Sequence, residues 1–326
     1  MDTRKLVDPA LLPVLDVFPT IALTSELLAP MREAERFAKL PIVAPAEITD
    51  AVAQTIRSVP GPAGAPDITL TIYQPRNAPG ALPCIYHIHG GGYVGGAAGQ
   101  LEPLHRPAAY DLNCVIVSVD YRLAPENPYP AGIEDCYAGL AWTFANADAL
   151  GIDRNRIGVM GESAGGGLAA ALALLARDRG EHQLAFQHLI YPMLDDRTCV
   201  AEPNPVAGEF IWTAHNNRFG WTALLGHEPG QAGVSPYAAP ARAPDLSGLP
   251  PAFIACPTLD LFIDEDIAYA TRLLRAGTPV ELHVYPGGFH GFDIFGGDAP
   301  ISARARRDSL EALKSALHHE AKKPIR

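Results

Sequence analysis

The chain has 326 residues, 48% of them hydrophobic, and its 36 acidic and 25 basic side chains give a formal net charge of -11. That length and apolar content can bury a large core, and they favour one α/β domain with an embellishment over two equal domains. The acidic balance argues against nucleic acid or another polyanion as partner, because no run of lysines or arginines is long enough to make a basic stripe.

In chain order, roughly the first 46 residues read as short helices separated by prolines, with 25–40 the clearest helical stretch. Asp8, Pro13, Asp16 and Pro19 interrupt the apolar stretches near the start, which breaks the continuous apolar region a signal peptide needs. At Ala51 the pattern changes, and residues 51–59 and 68–73 alternate around a Gly/Pro turn as in an antiparallel hairpin. Short β-rich apolar runs follow at 83–89, 114–119, 156–160, 185–191, 251–256 and 280–285. Helical stretches at 133–146, 164–177, 264–276 and 303–319 separate most of them. This succession predicts an α/β fold with a mainly parallel, buried sheet flanked by helices on both faces. Between 195 and 246 the chain is rich in Pro, Gly and Trp, which predicts an insertion with its own short helix near 212–225. The most apolar window, 168–176, is about half as long as a bilayer span requires and reads as a core helix, so no membrane is expected as partner. The five cysteines are scattered and never form a CxxC pair, which points to a reducing compartment; a cytoplasmic location is expected.

Gly161-Glu162-Ser163-Ala164-Gly165 stands between the apolar run 156–160 and the Ala/Leu-rich helix. A serine flanked two residues away by glycines can sit on a sharp strand-to-helix turn, with its hydroxyl exposed above the sheet. The helix N-terminus behind it favours developing negative charge. Ser163 is therefore the candidate nucleophile, and it requires a base, an acid and an oxyanion hole.

Of the eleven histidines, only His283, His290, His318 and His319 lie beyond the later strands. His283 sits inside a strand pattern, and His318 and His319 sit at the charged end of a helix. His290 remains, in the Gly-rich loop after the last strand, where an imidazole can reach back toward the elbow. For the acid, Asp260 lies at the carboxyl end of its strand; Asp264 is the alternative, although its place at a helix start suits capping. His89-Gly90-Gly91-Gly92, after the strand at 83–89, supplies backbone NH groups with no side chain in the way, as an oxyanion hole needs.

With these motifs in hand, the chain resembles the hormone-sensitive lipase family of α/β-hydrolases, in its bacterial esterase branch. The resemblance rests on His89-Gly90-Gly91-Gly92, Tyr121-Arg122-Leu123-Ala124-Pro125-Glu126, the glycine-flanked Ser163 motif, Asp260 within its acidic loop, and Gly288-Phe289-His290-Gly291-Phe292. It implies an α/β-hydrolase fold with an eight-stranded sheet and an ester-hydrolysing triad of Ser163, Asp260 and His290, with the NH groups of Gly91, Gly92 and Ala164 as the oxyanion hole. A helical cap built from residues 1–46 and from an insertion at about 195–230 is implied as well, on a catalytic domain spanning 47–326. So is a homodimer joined along the edge near residues 280–285. The family commonly has aspartate where Glu162 stands, and that side chain is expected to point away from the reacting carbonyl. Arg122 and Glu126 are expected in a buried polar network.

The function expected is hydrolysis of short-acyl carboxylic esters through an acyl-enzyme, with a small-molecule ester and water as the reacting partners and no cofactor. Phe18, Phe37, Tyr93, Phe210, Trp212 and Trp221 are candidates for the apolar pocket wall. No metal site is expected, since neither HExxH nor clustered His/Cys spacing occurs. An amidase or peptidase using the same triad, and a non-catalytic small-molecule receptor keeping the pocket, are the rival readings.

Overall fold

The structure is a computed structural model that describes residues 2–18, 21–37 and 45–318, without the side chains of 35–37. Eight strands form one sheet: β1 Val52–Val59, β2 Ile68–Pro75, β3 Leu82–Ile88, β4 Val115–Asp120, β5 Ile152–Glu162, β6 Gln187–Ile190, β7 Ala252–Pro257 and β8 Val280–Tyr285. Their order is β1-β2-β4-β3-β5-β6-β7-β8. The expected hairpin is present, with Val59 opposite Ile68, and β2 also runs antiparallel to β4. From β4 to β8 all neighbours are parallel. Strands buried on both faces lose any alternation, which is why β3 reads as the unbroken run Leu-Pro-Cys-Ile-Tyr-His-Ile, every residue of it buried.

The helices among the described residues are α1 Leu12–Val17, α2 Ser25–Phe37, α3 Ala46–Ala51, α4 Glu102–Asp111, α5 Ala131–Ala145, α6 Ala164–Arg179, α7 Ala214–Leu225, α8 Ile263–Arg275, α9 Phe292–Phe295 and α10 Pro300–His318. The α6 helix is buried from Ala164 through Ala176, as small and apolar residues on every side require of a helix pressed between the sheet and α5. Helix α4 lies outside the expected set because Pro107 falls in its interior. Burial holds it instead: Arg106 is almost fully enclosed, and it donates to the Val52 carbonyl at 2.7 Å and to Glu102 at 2.9 Å.

Two adjacencies in the sheet position everything that follows. In the register of β3 with β5, Ile88 pairs with Gly161, so the glycine loop leaving β3 lies beside the serine leaving β5. In the register of β7 with β8, Pro257 pairs with Tyr285, so the loops carrying Asp260 and His290 emerge side by side. The chain leaves β3 toward β4 on one side while β5 lies on the other, and this reversal opens a crevice at the carboxyl ends.

The N-terminal stretch and α7 pack against the loops that follow β3 and β4. Leu23, Leu28, Val94, Ala124 and Ala223 cluster together, with Met31, Trp212 and Phe219 packed against them. Asn216 ties the N-terminal stretch to α7, accepting from the Leu23 NH at 2.9 Å and donating to the Ile21 carbonyl at 2.8 Å. No helix among the described residues is long and apolar enough to cross a membrane.

Arg122 does sit in a buried network, but its partner is Asp135. Two hydrogen bonds of 2.8 and 2.7 Å join them, and Asp135 is completely enclosed. Glu126 instead faces solvent and pairs with Arg32 of α2 at 2.9 Å. The difference follows from helix placement: Asp135 rises from α5 directly beneath the loop, whereas Glu126 lies on the loop's outer side.

Candidate active site

Ser163 links β5 to α6 with φ +57° and ψ -123°, a backbone conformation that non-glycine residues rarely adopt and that costs energy. Packing enforces it. A side chain at Gly161 would bring its Cβ 2.2 Å from the Gly165 carbonyl oxygen, and one at Gly165 would meet the Ile88 carbonyl at 2.1 Å. The two flanking glycines are thus required by close backbone approach. Hydrogen bonds from the Ser163 NH to the Ile190 carbonyl and from the Met193 NH to the Ser163 carbonyl, both 2.9 Å, fix the turn.

His290 Nε2 lies 2.9 Å from Ser163 Oγ, and His290 Nδ1 lies 2.7 Å from Asp260 Oδ2. The three residues are 6%, 7% and 0% exposed for Ser163, His290 and Asp260 respectively. A carboxylate only accepts, so Asp260 selects the tautomer protonated on Nδ1 and leaves the Nε2 lone pair for the serine hydroxyl. The other oxygen of Asp260 accepts the Phe262 NH at 3.0 Å. The imidazole is wedged between Tyr191, at 4.8 Å between ring centroids, and Phe262, edge-on at 5.5 Å. Asp264, the alternative acid, bonds Asn204 on the surface at 3.0 Å and takes no part in this chain.

Gly91 and Gly92 follow at φ +114° and +60°. No hydrogen bond from either NH group occurs among the described residues, while the Gly91 carbonyl accepts from Val94 and Gly95 and locks the loop. Ala164 opens α6, where the first NH groups of a helix have no internal partner. The start of the loop lies against the elbow, a Cβ at Gly90 falling 3.4 Å from Ser163 Cβ.

Glu162 points away from this space, to the far side of the elbow. Its Oε1 accepts the Gly90 NH and its Oε2 meets His87 Nε2, each at 2.9 Å. Sequence reasoning gave this residue no task beyond orientation, because His87 reads as an ordinary strand residue; the pairing is visible only once β3 and β5 are neighbours. Burial pushes the Glu162 carboxyl up to about 7 and the His87 imidazole down to about 3, so the contact joins a carboxyl to a neutral ring.

The proposed wall residues separate into groups. Trp212 packs on the glycine loop at Gly92 and stands 6.3 Å from His290 between ring centroids. Phe210 packs against Phe289 beside that histidine at 6.2 Å. Phe18 is half-exposed and lies 5.1 Å from Phe295. Tyr93 and Trp221 are fully enclosed core residues whose rings meet at 5.3 Å, with the Tyr93 hydroxyl donating to the Met193 carbonyl at 3.0 Å. The Phe37 side chain lies outside the described residues. Among the described residues no group of three or more His, Cys, Asp or Glu side chains is arranged to hold a metal ion.

A serine on a strained elbow with an imidazole and a carboxylate in line behind it is the machinery of a serine hydrolase of the α/β-hydrolase class. The comparisons agree. Residues 85–294 match a family model described as the alpha/beta hydrolase fold. Carboxylesterase NlhH of Mycobacterium tuberculosis is 38% identical over 322 residues, 97% of this chain and 98% of the relative. Esterase LipI of the same species is 34% identical over 325 residues, 97% of each chain. Among solved structures, a bacterial heroin esterase superposes with a TM-score of 0.88 at 37% identity, covering 97% of this chain and all of that one. The chain belongs to the hormone-sensitive lipase family of α/β-hydrolases.

Proposed function

We propose that this chain is a serine carboxylesterase in which Ser163 is the nucleophile, His290 the general base and acid, and Asp260 the residue that orients the imidazole. The unbroken hydrogen-bond chain from Asp260 through His290 to Ser163, below the glycine loop, carries this reading. His290 Nε2 takes the Ser163 proton as Oγ attacks the ester carbonyl, and the NH groups of Gly91, Gly92 and Ala164 hold the oxyanion. Collapse expels the alcohol, which receives the proton from His290 and leaves an acyl-Ser163. Water, activated by the same imidazole, then releases the carboxylic acid.

The N-terminal segment and the insertion at about 195–230 act as a cap, and Phe18, Phe210 and Trp212 supply apolar wall around the ester. Tyr93 and Trp221 act one step back, supporting the oxyanion loop through packing. A small, proline-interrupted cap suits short acyl groups and small dissolved esters. The β8 edge, with Leu282 and Val284 exposed, supports a homodimer joined along that strand. Light scattering across a dilution series tests the dimer.

A fluorophosphonate probe, followed by peptide mass spectrometry, tests the nucleophile: label on Ser163 alone is expected, and an unlabelled Ser163 favours a receptor that keeps only the pocket. Turnover of an ester beside its matched amide separates the esterase from an amidase.

A further inference from the structure

Trp212 is carried by a turn that an isoleucine should avoid. The Trp212 NH donates to the Phe210 carbonyl at 2.7 Å, which closes a three-residue γ-turn centred on Ile211. Ile211 occupies it at φ +62°. A β-branched residue in that region crowds its own backbone, and glycine would relieve it. Strain of this kind persists only where the surroundings over-determine it, and here both ends are clamped. Upstream, the Gly208 NH donates to the Leu259 carbonyl at 2.9 Å, and Phe210 packs on Phe289, so the segment is bound to the neighbours of both Asp260 and His290. Downstream, Thr213 caps α7 by accepting the Asn216 NH.

The turn throws the indole onto the oxyanion loop. A methyl group at Gly92 would lie 2.1 Å from Trp212 Cη2, so the ring rests directly on that glycine. The same ring stands 6.3 Å from the imidazole of His290, and its Nε1 donates to Asn217 Oδ1 at 3.4 Å. It therefore spans the space between the NH that would receive the oxyanion and the imidazole that would protonate the departing oxygen. The imidazole delivers its proton to the departing alcohol, and this ring stands on the imidazole's side of the glycine loop.

We infer that Trp212, held in place by the strained turn at Ile211, sets the size limit on the alcohol half of the substrate and leaves the acyl half unrestricted by its bulk. This rests on the serine carboxylesterase reading above. An indole wall rejects a bulky alkoxy group by steric exclusion, so its removal changes the ratio of rates between large and small alcohol halves.

The test is kcat/KM for two series of esters, acetates of methanol through cyclohexanol and methyl esters of growing acyl chain. Trp212→Ala is expected to raise the cyclohexyl-to-methyl acetate ratio by about ten-fold or more, within the range one pocket group supplies. The acyl series should shift by a smaller factor than the alkoxy series, because the proposal sets the ring against the alcohol half alone. Ile211→Gly should move the alkoxy ratio in the same direction by a smaller factor, because glycine relaxes the turn that aims the indole. Trp212→Phe should fall between tryptophan and alanine, and it serves the purpose if the alanine variant does not fold. An unchanged alkoxy ratio in the folded Trp212 variants, or a shift confined to the acyl series, overturns the proposal. An unchanged ratio in Ile211→Gly overturns the part assigned to the turn. Wild-type protein that cleaves neither methyl nor cyclohexyl acetate instead removes the esterase reading, and this proposal with it.

Discussion

Glu162 Oε1 accepts the Gly90 NH at 2.9 Å, so the residue immediately before the proposed nucleophile holds the first glycine of the loop that would receive the oxyanion. Elbow and loop are therefore one mechanical unit. Beneath it the contacts continue from Glu162 Oε2 to His87 Nε2 and from His87 Nδ1 to Ser118 Oγ, each 2.9 Å, which anchors the unit in the buried sheet.

That buried carboxyl makes stability depend on pH. Burial raises Glu162 from 4.5 to about 7, so its contribution to stability is fully present below 4.5 and is lost as pH rises through about 7. The two values differ by enough to be worth about 3 kcal/mol at most. Glu162→Gln removes the charge while its amide can still accept from Gly90 and donate to His87. Calorimetry at pH 5.5 and 8.5 should show the variant gaining stability relative to wild type at the higher pH; parallel melting curves at both would mean that Glu162 does not titrate in this window.

Asp260→Asn is expected to leave the fold intact and to lower kcat for a short ester by about 10⁴-fold, because an amide no longer selects the Nδ1-protonated tautomer. Steady-state kinetics on a correctly melting variant measures it. A loss below about ten-fold would assign the acid to another carboxylate, with Asp264 the first to examine.

Asp135 is a structural counterpart. It is completely enclosed and holds the Arg122 guanidinium and backbone NH, so Asp135→Ala strands a partly buried cation. The expected cost is about 3 kcal/mol in urea unfolding. Activity per folded molecule should change little. A stability loss under about 1 kcal/mol would mean that water replaces the carboxylate at no penalty.

Much of this was legible from the residues because the relevant signals are local. The elbow glycines, the glycine run after β3 and the loop histidine each sit next to a strand whose apolar run is unmistakable, and topology does the rest by bringing their carboxyl ends together. Helix α4 was hidden by Pro103 and Pro107, since the burial that stabilises Arg106 is a property of the assembled sheet. The bonds of Glu162 to Gly90 and His87 were hidden because they join strands more than 70 residues apart, and that of Arg122 to Asp135 because nothing in spacing reveals which carboxylate faces which donor. The aromatic residues of the upper layer divide similarly, with Trp221 deep in the core and Trp212 above the glycine loop, although both read as tryptophans in one insertion.

The most direct measurement is the hydrolysis of a short-chain ester by Ser163→Ala beside the wild type, with melting curves to confirm that both are folded. A loss of at least about 10⁴-fold in kcat/KM is expected, leaving only what the oxyanion hole and binding contribute. A folded Ser163→Ala protein that hydrolyses the ester at the wild-type rate would contradict it.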